Sequence, residues 1–176
     1  TTPNANRIHI SFFGKTNVGK SSLINAIANQ TVSLVSEQKG TTTDPVKKAI
    51  ELHPIGPCLL IDTAGFDDNS ILGTERIELT KQVVEQTDIA IFLFSDSSFE
   101  EERQWIAYLR DKNIPTVFVL NKSDIVDSSN LALVIETEFG KKPICVSALH
   151  KENIDTLLKE LQTISTTLEK EESICG

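Results

Sequence analysis

The 176-residue chain predicts an α/β fold of three layers, with helices on both faces of a six-stranded, mostly parallel sheet that carries one antiparallel strand. Two observations predict it. Apolar runs of strand length alternate with helical periodicity along the whole chain, the pattern of repeated strand–helix units. The exception is a pair of strands, Pro45–Leu52 and Cys58–Asp62, joined only by His53-Pro54-Ile55-Gly56-Pro57. That link is too short for a crossover helix, so the pair must be antiparallel.

The elements follow in order. A strand over Arg7–Phe13 leads through a glycine-bearing loop into a helix over Ser21–Asn29, and the antiparallel pair comes next. A helix over Thr74–Gln86 precedes the apolar strand Asp88–Phe94, and a helix over Ser98–Asp111 precedes the strand Thr116–Leu120. The last units are a helix over Asn130–Phe139, a strand over Pro143–Val146 and a helix over Asn153–Leu168. In that final helix Ile154, Leu157, Leu158, Leu161, Ile164 and Leu168 recur at helical spacing and make one apolar face. Phe99, Trp105 and Tyr108 fall on a predicted helix and read as packing residues.

The motifs sit at the carboxyl ends of the predicted parallel strands, where such sheets bind ligands. Phe13-Gly14-Lys15-Thr16-Asn17-Val18-Gly19-Lys20-Ser21-Ser22 fits the phosphate-loop pattern G-x-x-x-x-G-K-[ST] between a strand and a helix. Side chains at Gly14 or Gly19 would block the N–H groups that wrap an anion, and the N-terminus of the following helix adds its dipole. Lys20 supplies a charge to the β/γ oxygens, and Ser21 a hydroxyl to Mg²⁺. The fold is thereby identified as a P-loop NTPase G domain.

The base is set by Asn121-Lys122-Ser123-Asp124, which follows the strand at 116–120. An ionised Asp124 accepts from two guanine donors that adenine does not present, which favours GTP over ATP by about 10²- to 10⁴-fold. Asn121 would hold the purine edge, and Lys122 would cover the base and ribose. Ser147-Ala148-Leu149 follows the next strand and offers a backbone N–H to the guanine carbonyl. Between these motifs, Asp62-Thr63-Ala64-Gly65 presents an acid to the Mg²⁺ shell and the Gly65 N–H to the γ-phosphate. Upstream, Gly40-Thr41-Thr42-Thr43-Asp44 supplies a threonine for Mg²⁺ and the γ-phosphate, Thr42 before Thr41.

Together these strings resemble the translation-factor-like GTPases that include MnmE, Era and Der, over about Arg7 to Leu168. Within that branch several details are similar to the HydF family, which helps mature FeFe hydrogenases. They are Thr2-Pro3 ahead of Arg7-Ile8-His9-Ile10, the string Gly40 to Val46, and Gly56-Pro57 before Leu60-Ile61-Asp62-Thr63, with Phe66-Asp67-Asp68 and Leu72-Gly73 behind. The resemblance implies a potassium ion held by Asn17 and by backbone carbonyls near Ser36 and Gln38. Phe66 stands where Ras-like proteins carry the glutamine that orients the attacking water, and an aromatic ring cannot do that. The water-orienting acid of MnmE maps onto Ser70, a departure that leaves Asp67, Asp68 and Glu75 as neighbouring carboxylates. Lys20, Thr42, Gly65 and Asn17 are thus the expected catalytic set. The resemblance also implies cluster-binding and dimerisation domains beyond this chain, hydrogenase maturation proteins as partners and a nucleotide-dependent homodimer. Residues 1–6 then read as an N-terminal extension, 7–168 as the GTP-binding domain and 169–176 as an acidic tail leading onward.

Composition narrows the alternatives. With 25 acids against 17 Lys and Arg, the net charge is −8, and no dense basic patch offers a footprint for nucleic acid or an anionic membrane. No apolar run reaches membrane-spanning length and no signal sequence opens the chain, so a cytoplasmic location is expected. Cys58, Cys145 and Cys175 lack C-x-x-C spacing, and His9, His53 and His150 lack ligand spacing; no iron–sulfur cluster is expected in this piece. Three classes stay open: a K⁺-stimulated GTPase serving a metal-cofactor scaffold, a ribosome- or RNA-associated GTPase, and a GTP-binding dimerisation module of negligible turnover.

Overall fold

A computed structural model describes residues 6–16, 18–30, 34–38, 45–121 and 128–175, with only the backbone described at 30, 34–38 and 173–175. Its elements run β1 (Ile8–Phe13), α1 (Lys20–Gln30), β2 (Leu34–Gln38), β3 (Val46–Leu52), β4 (Gly56–Asp62), α2 (Gly73–Glu85), β5 (Ile89–Phe94), α3 (Glu100–Asp111), β6 (Thr116–Asn121), α4 (Ser128–Phe139), β7 (Ile144–Val146) and α5 (Ile154–Cys175). They build one sheet in the order β2-β3-β4-β1-β5-β6-β7. The pairs β4–β1, β1–β5, β5–β6 and β6–β7 are parallel, whereas β3 is antiparallel to both β2 and β4. One strand, β3, therefore runs against the other six.

The sheet has seven strands where the sequence predicts six. The added one, β2, is a short edge strand whose ladder comes from pairing with β3, Ser36 opposite Ala49 and Gln38 opposite Lys47. A strand that pairs on one side only carries little local signal in a polar segment. Strand β4 begins at Gly56 because Leu52 pairs with it directly, which shortens the predicted link. Helix α5 continues past Leu168 to Cys175, through charged residues that give no apolar reason to stop.

Alternation along the strands sorts side chains into two cores. Ile10, Phe12, Leu60, Ile91, Leu93, Val117 and Val119 face α1 and α5, meeting Leu23, Ile27, Leu157 and Leu161. Phe13, Ile61, Phe92, Phe94, Phe118 and Leu120 face α2, α3 and α4, meeting Val84, Leu109, Ile135 and Phe139. Because β5 and the centre of β6 are buried on both faces, β5 is apolar throughout and β6 from Val117 to Leu120, whereas β1 carries His9 and the buried Ser11 among its apolar residues. The second core is aromatic. Phe94 meets Phe99 and Phe118 edge to face, with centroids 5.8 and 5.4 Å apart. Cys58 is fully buried, and burial, assisted by the nearby Glu51 charge, pushes its thiol pKa up to about 12, so it behaves as a small core residue.

Candidate functional site

Parallel packing of β1, β4, β5, β6 and β7 brings the ends of β1, β4 and β6 together, and with them Lys20, Ser21, Asp62, Gly65 and Asn121 of the predicted motifs. The loop from Gly14 to Gly19 leaves β1 and enters α1. Its first glycine is buried, and Val18, 5% exposed, packs into the core beneath. Gly19 has φ +98°, and a Cβ there would stand 2.6 Å from Asn121 Nδ2. Glycine is required on both counts.

Lys20 is buried, and its Nζ donates to the Gly14 and Lys15 carbonyls at 3.4 and 3.2 Å. Burial lowers its pKa, against the opposing pull of Asp62, Asp67 and Asp68. Ser21, exposed in the first turn of α1, donates its hydroxyl to Asp62 Oδ2 at 3.1 Å across the cleft from the end of β4. The other oxygen of Asp62, Oδ1, is buried with no hydrogen-bond partner among the described residues. Burial raises the Asp62 pKa, although Lys20, Ser21 and Lys48 oppose the rise. A cavity of about 210 Å³ opens here, lined by Ser21, Ile24, Asn25, Val46, Lys48 and Asp62. A hydroxyl and an acid with a spare buried oxygen are hard donors of the kind Mg²⁺ takes alongside phosphates, so these residues fit that ion. Ser22 beside them is exposed.

The segment after β4 folds back on the phosphate loop. Thr63 Oγ1 donates to the Phe12 carbonyl at 2.6 Å, and the Phe66 N–H to the Gly14 carbonyl at 3.2 Å. A Cβ on Gly65 would collide with the Thr16 backbone, so this close approach also demands glycine. Asp67 Oδ1 accepts the Thr16 N–H at 2.6 Å. Burial pushes the Asp67 carboxyl up, but the hydrogen bonds from the Thr16 N–H and hydroxyl and its own backbone, with the Lys15 charge, together outweigh it and hold the group below its usual range. Asp68 instead caps a turn with the Ser70 N–H and hydroxyl, and Glu75 lies exposed in the first turn of α2. Phe66 is 2% exposed, stacked on Trp105 at 6.1 Å and packed on Phe92 at 5.5 Å. It is a core residue.

At the far side, Asn121 ends β6 with a buried side chain whose Oδ1 accepts the Ala148 N–H at 3.4 Å. Asn121 thereby ties the phosphate loop to the loop after β7. Ser147 is buried, exchanges both main-chain bonds with Glu152 and accepts the His150 N–H on its hydroxyl at 3.2 Å, while Leu149 is 73% exposed. Asn17, Thr42, Lys122 and Asp124 lie outside the described residues. Ser36 and Gln38, whose neighbouring carbonyls are expected at the potassium ion, have their main chain in β2.

Two features escape the sequence motifs. Lys15 occupies a free position of the loop pattern, yet its side chain reaches Asp96, the Ser98 carbonyl and Glu102. Glu102 belongs to an acidic run in the first turn of α3 but is 1% exposed. No local pattern separates it from Glu100 and Glu101, because only the packing of α3 on the sheet decides which of the three turns inward.

The profile of the 50S ribosome-binding GTPase family matches residues 9–122. Among curated relatives, the tRNA modification GTPase MnmE of Endomicrobium trichonymphae is 35% identical over 90% of this chain, and GTPase Der of Thermotoga sp. strain RQ2 is 32% identical over 84%. This chain spans 35% of the length of each. Among solved structures, Aquifex aeolicus Era bound to GDP and AlF4⁻ superposes with a TM-score of 0.68 at 26% identity, over 89% of this chain and 56% of that one. Era with MgGDPNP and a 16S ribosomal RNA segment gives 0.66 at 26% identity, over the same shares of the two chains. The G domain of the T. maritima FeoB iron transporter, 16% identical with a TM-score of 0.61 over 92% of this chain and 98% of its own, shares the fold.

Proposed function

The chain belongs to the 50S ribosome-binding GTPase family, and on that premise we propose that it is a Mg²⁺-dependent, potassium-stimulated nucleotide switch serving metal-cofactor assembly for FeFe hydrogenases. The observation that carries the nucleotide reading is Ser21 facing Asp62 at 3.1 Å, with a spare acid oxygen beneath the phosphate loop. Ser21, Asp62 and Thr42 would hold Mg²⁺, which when bound offsets phosphate charge and orients the phosphate oxygens. Lys20 directs a cation, and Gly65 its N–H, toward the β/γ oxygens. The N–H groups from Asn17 to Ser22 wrap the phosphates. Asn121, Lys122 and Asp124, with Ser147, Ala148 and Leu149, frame the guanine.

Phosphoryl transfer builds charge on oxygens that a positive group must offset. Phe66 is packed in the core and supplies none, which favours potassium, held by Asn17 with carbonyls near Ser36 and Gln38. Phosphate release in KCl and NaCl at equal ionic strength tests this reading. Faster release in KCl, lost in Asn17→Ala, is expected; equal rates would refute it and point to a finger supplied by a partner.

The hydrogenase role is supported by the HydF-like strings Gly40 to Val46, Phe66-Asp67-Asp68 and Leu72-Gly73. On this reading residues 7–168 form the nucleotide unit of a longer cytoplasmic protein. Its partners are attached cluster-binding and dimerisation domains, hydrogenase maturation proteins and a second copy. Disrupting the gene should abolish FeFe hydrogenase activity in the host, restored by the parent gene but not by Lys20→Ala; unchanged activity excludes the role. A ribosome-associated role is the second reading, favoured by the Era complex with 16S RNA and opposed by the net charge of −8. Tight, salt-sensitive binding of the intact protein to rRNA would select it.

A further inference from the structure

The side chain of Lys15 leaves the phosphate loop altogether. Its Nζ lies 3.1 Å from Asp96 Oδ1, 3.0 Å from the Ser98 carbonyl and 3.3 Å from Glu102 Oε2, so the β5–α3 corner and the first turn of α3 hold one loop cation. Its main-chain carbonyl accepts Lys20 Nζ at 3.2 Å and the Val18 N–H at 3.3 Å. One residue thus ties the curl of the loop to α3.

Glu102 is the unusual partner. Only 1% exposed, it shares a single cation with Asp96, and its Oε1 has no hydrogen-bond partner among the described residues. Burial accordingly raises its pKa despite Lys15. Lys15 is held charged instead, because Asp96 and Glu102 outweigh its own partial burial. For stability alone, an apolar side chain of this size would serve as well or better. A role at the loop accounts for the charge. Nested N–H groups wrap a phosphate only when the main chain is already curled, and ordering the loop at binding would be subtracted from affinity.

We infer that Glu102 is a positioning residue for the nucleotide, acting through Lys15 to hold the phosphate loop in its binding shape. The inference rests on that loop being the nucleotide site, and the experiment separates the two. Glu102→Gln, Lys15→Met, their double variant and Lys20→Ala are compared by titration with fluorescent GDP and by thermal melting. Glu102→Gln and Lys15→Met should each weaken GDP binding by about ten- to hundredfold, the range of one charged hydrogen bond. The melting midpoint of Glu102→Gln should stay at or above the parent's, and the double variant should lose no more than the larger single loss. A lower midpoint with parent-like affinity, or fully additive losses, overturns the positioning role. Parent-like binding in Lys20→Ala overturns the site itself, and the inference with it. Should Glu102→Gln fail to fold, Lys15→Met reads the same clamp from a side chain that is 17% exposed.

Discussion

The side chain of Asn121 stands directly over the α-carbon of Gly19, so close that a Cβ would meet its Nδ2 at 2.6 Å. The residue that would frame the base also closes the back of the phosphate loop. Two elements far apart in sequence thus lie side by side, brought together by the parallel run of β1, β5 and β6.

Gly19→Ala should therefore destroy nucleotide binding. The new methyl would clash with Asn121 and sit on a backbone of φ +98°, a strain of about 1–3 kcal/mol. Titration with fluorescent GDP should show at least a hundredfold loss alongside a lowered melting midpoint; parent-like affinity would contradict the contact.

Ser21→Ala and Asp62→Asn should raise the Mg²⁺ concentration needed for half-maximal hydrolysis. The two face each other at 3.1 Å, and Asp62 keeps a buried oxygen unpartnered. Losing a ligand or its orienting neighbour weakens metal sites by about 10- to 100-fold. Mg²⁺ titration of phosphate release measures it, and an unshifted curve in both variants would place the ion elsewhere.

Stability should fall as pH rises through the raised Glu102 pKa. Burial favours its protonated form in the folded chain, so between the ordinary carboxylate range and the raised value the folded state binds more protons than the unfolded one. Its contribution is largest at the acid side of that window and lost above it. Melting midpoints of parent and Glu102→Gln across mildly acidic pH should converge toward the acid end, with the variant ahead on the alkaline side. Parallel curves would show that Glu102 does not titrate there.

Phe66→Ala should destabilise the domain by about 3–5 kcal/mol, the usual cost of truncating a buried phenylalanine. Its ring is wedged between Phe92 and Trp105. The Trp105 emission should shift at the same time, and Phe66→Gln should not accelerate hydrolysis. A faster Phe66→Gln enzyme would mean that this position reaches the attacking water after all.

The sequence by itself determined the nucleotide-binding fold and marked loop residues that the structure places at neighbouring strand ends. Glycine positions, a lysine, hydroxyls and acids at fixed spacing carry chemistry that local order alone specifies, and apolar runs on β5 and β6 announce strands covered on both faces. Ser21, Asp62 and Asn121 were legible for that reason. Only the tertiary structure decided what depends on contacts between distant segments. β2 exists because β3 offers it an edge; Phe66 belongs to the core because Trp105 of α3 covers it; Glu102, alone in a run of three acids, turns inward to meet Lys15. A single carboxylate in a row of carboxylates carries no mark of its burial until the helix that bears it is laid on the sheet.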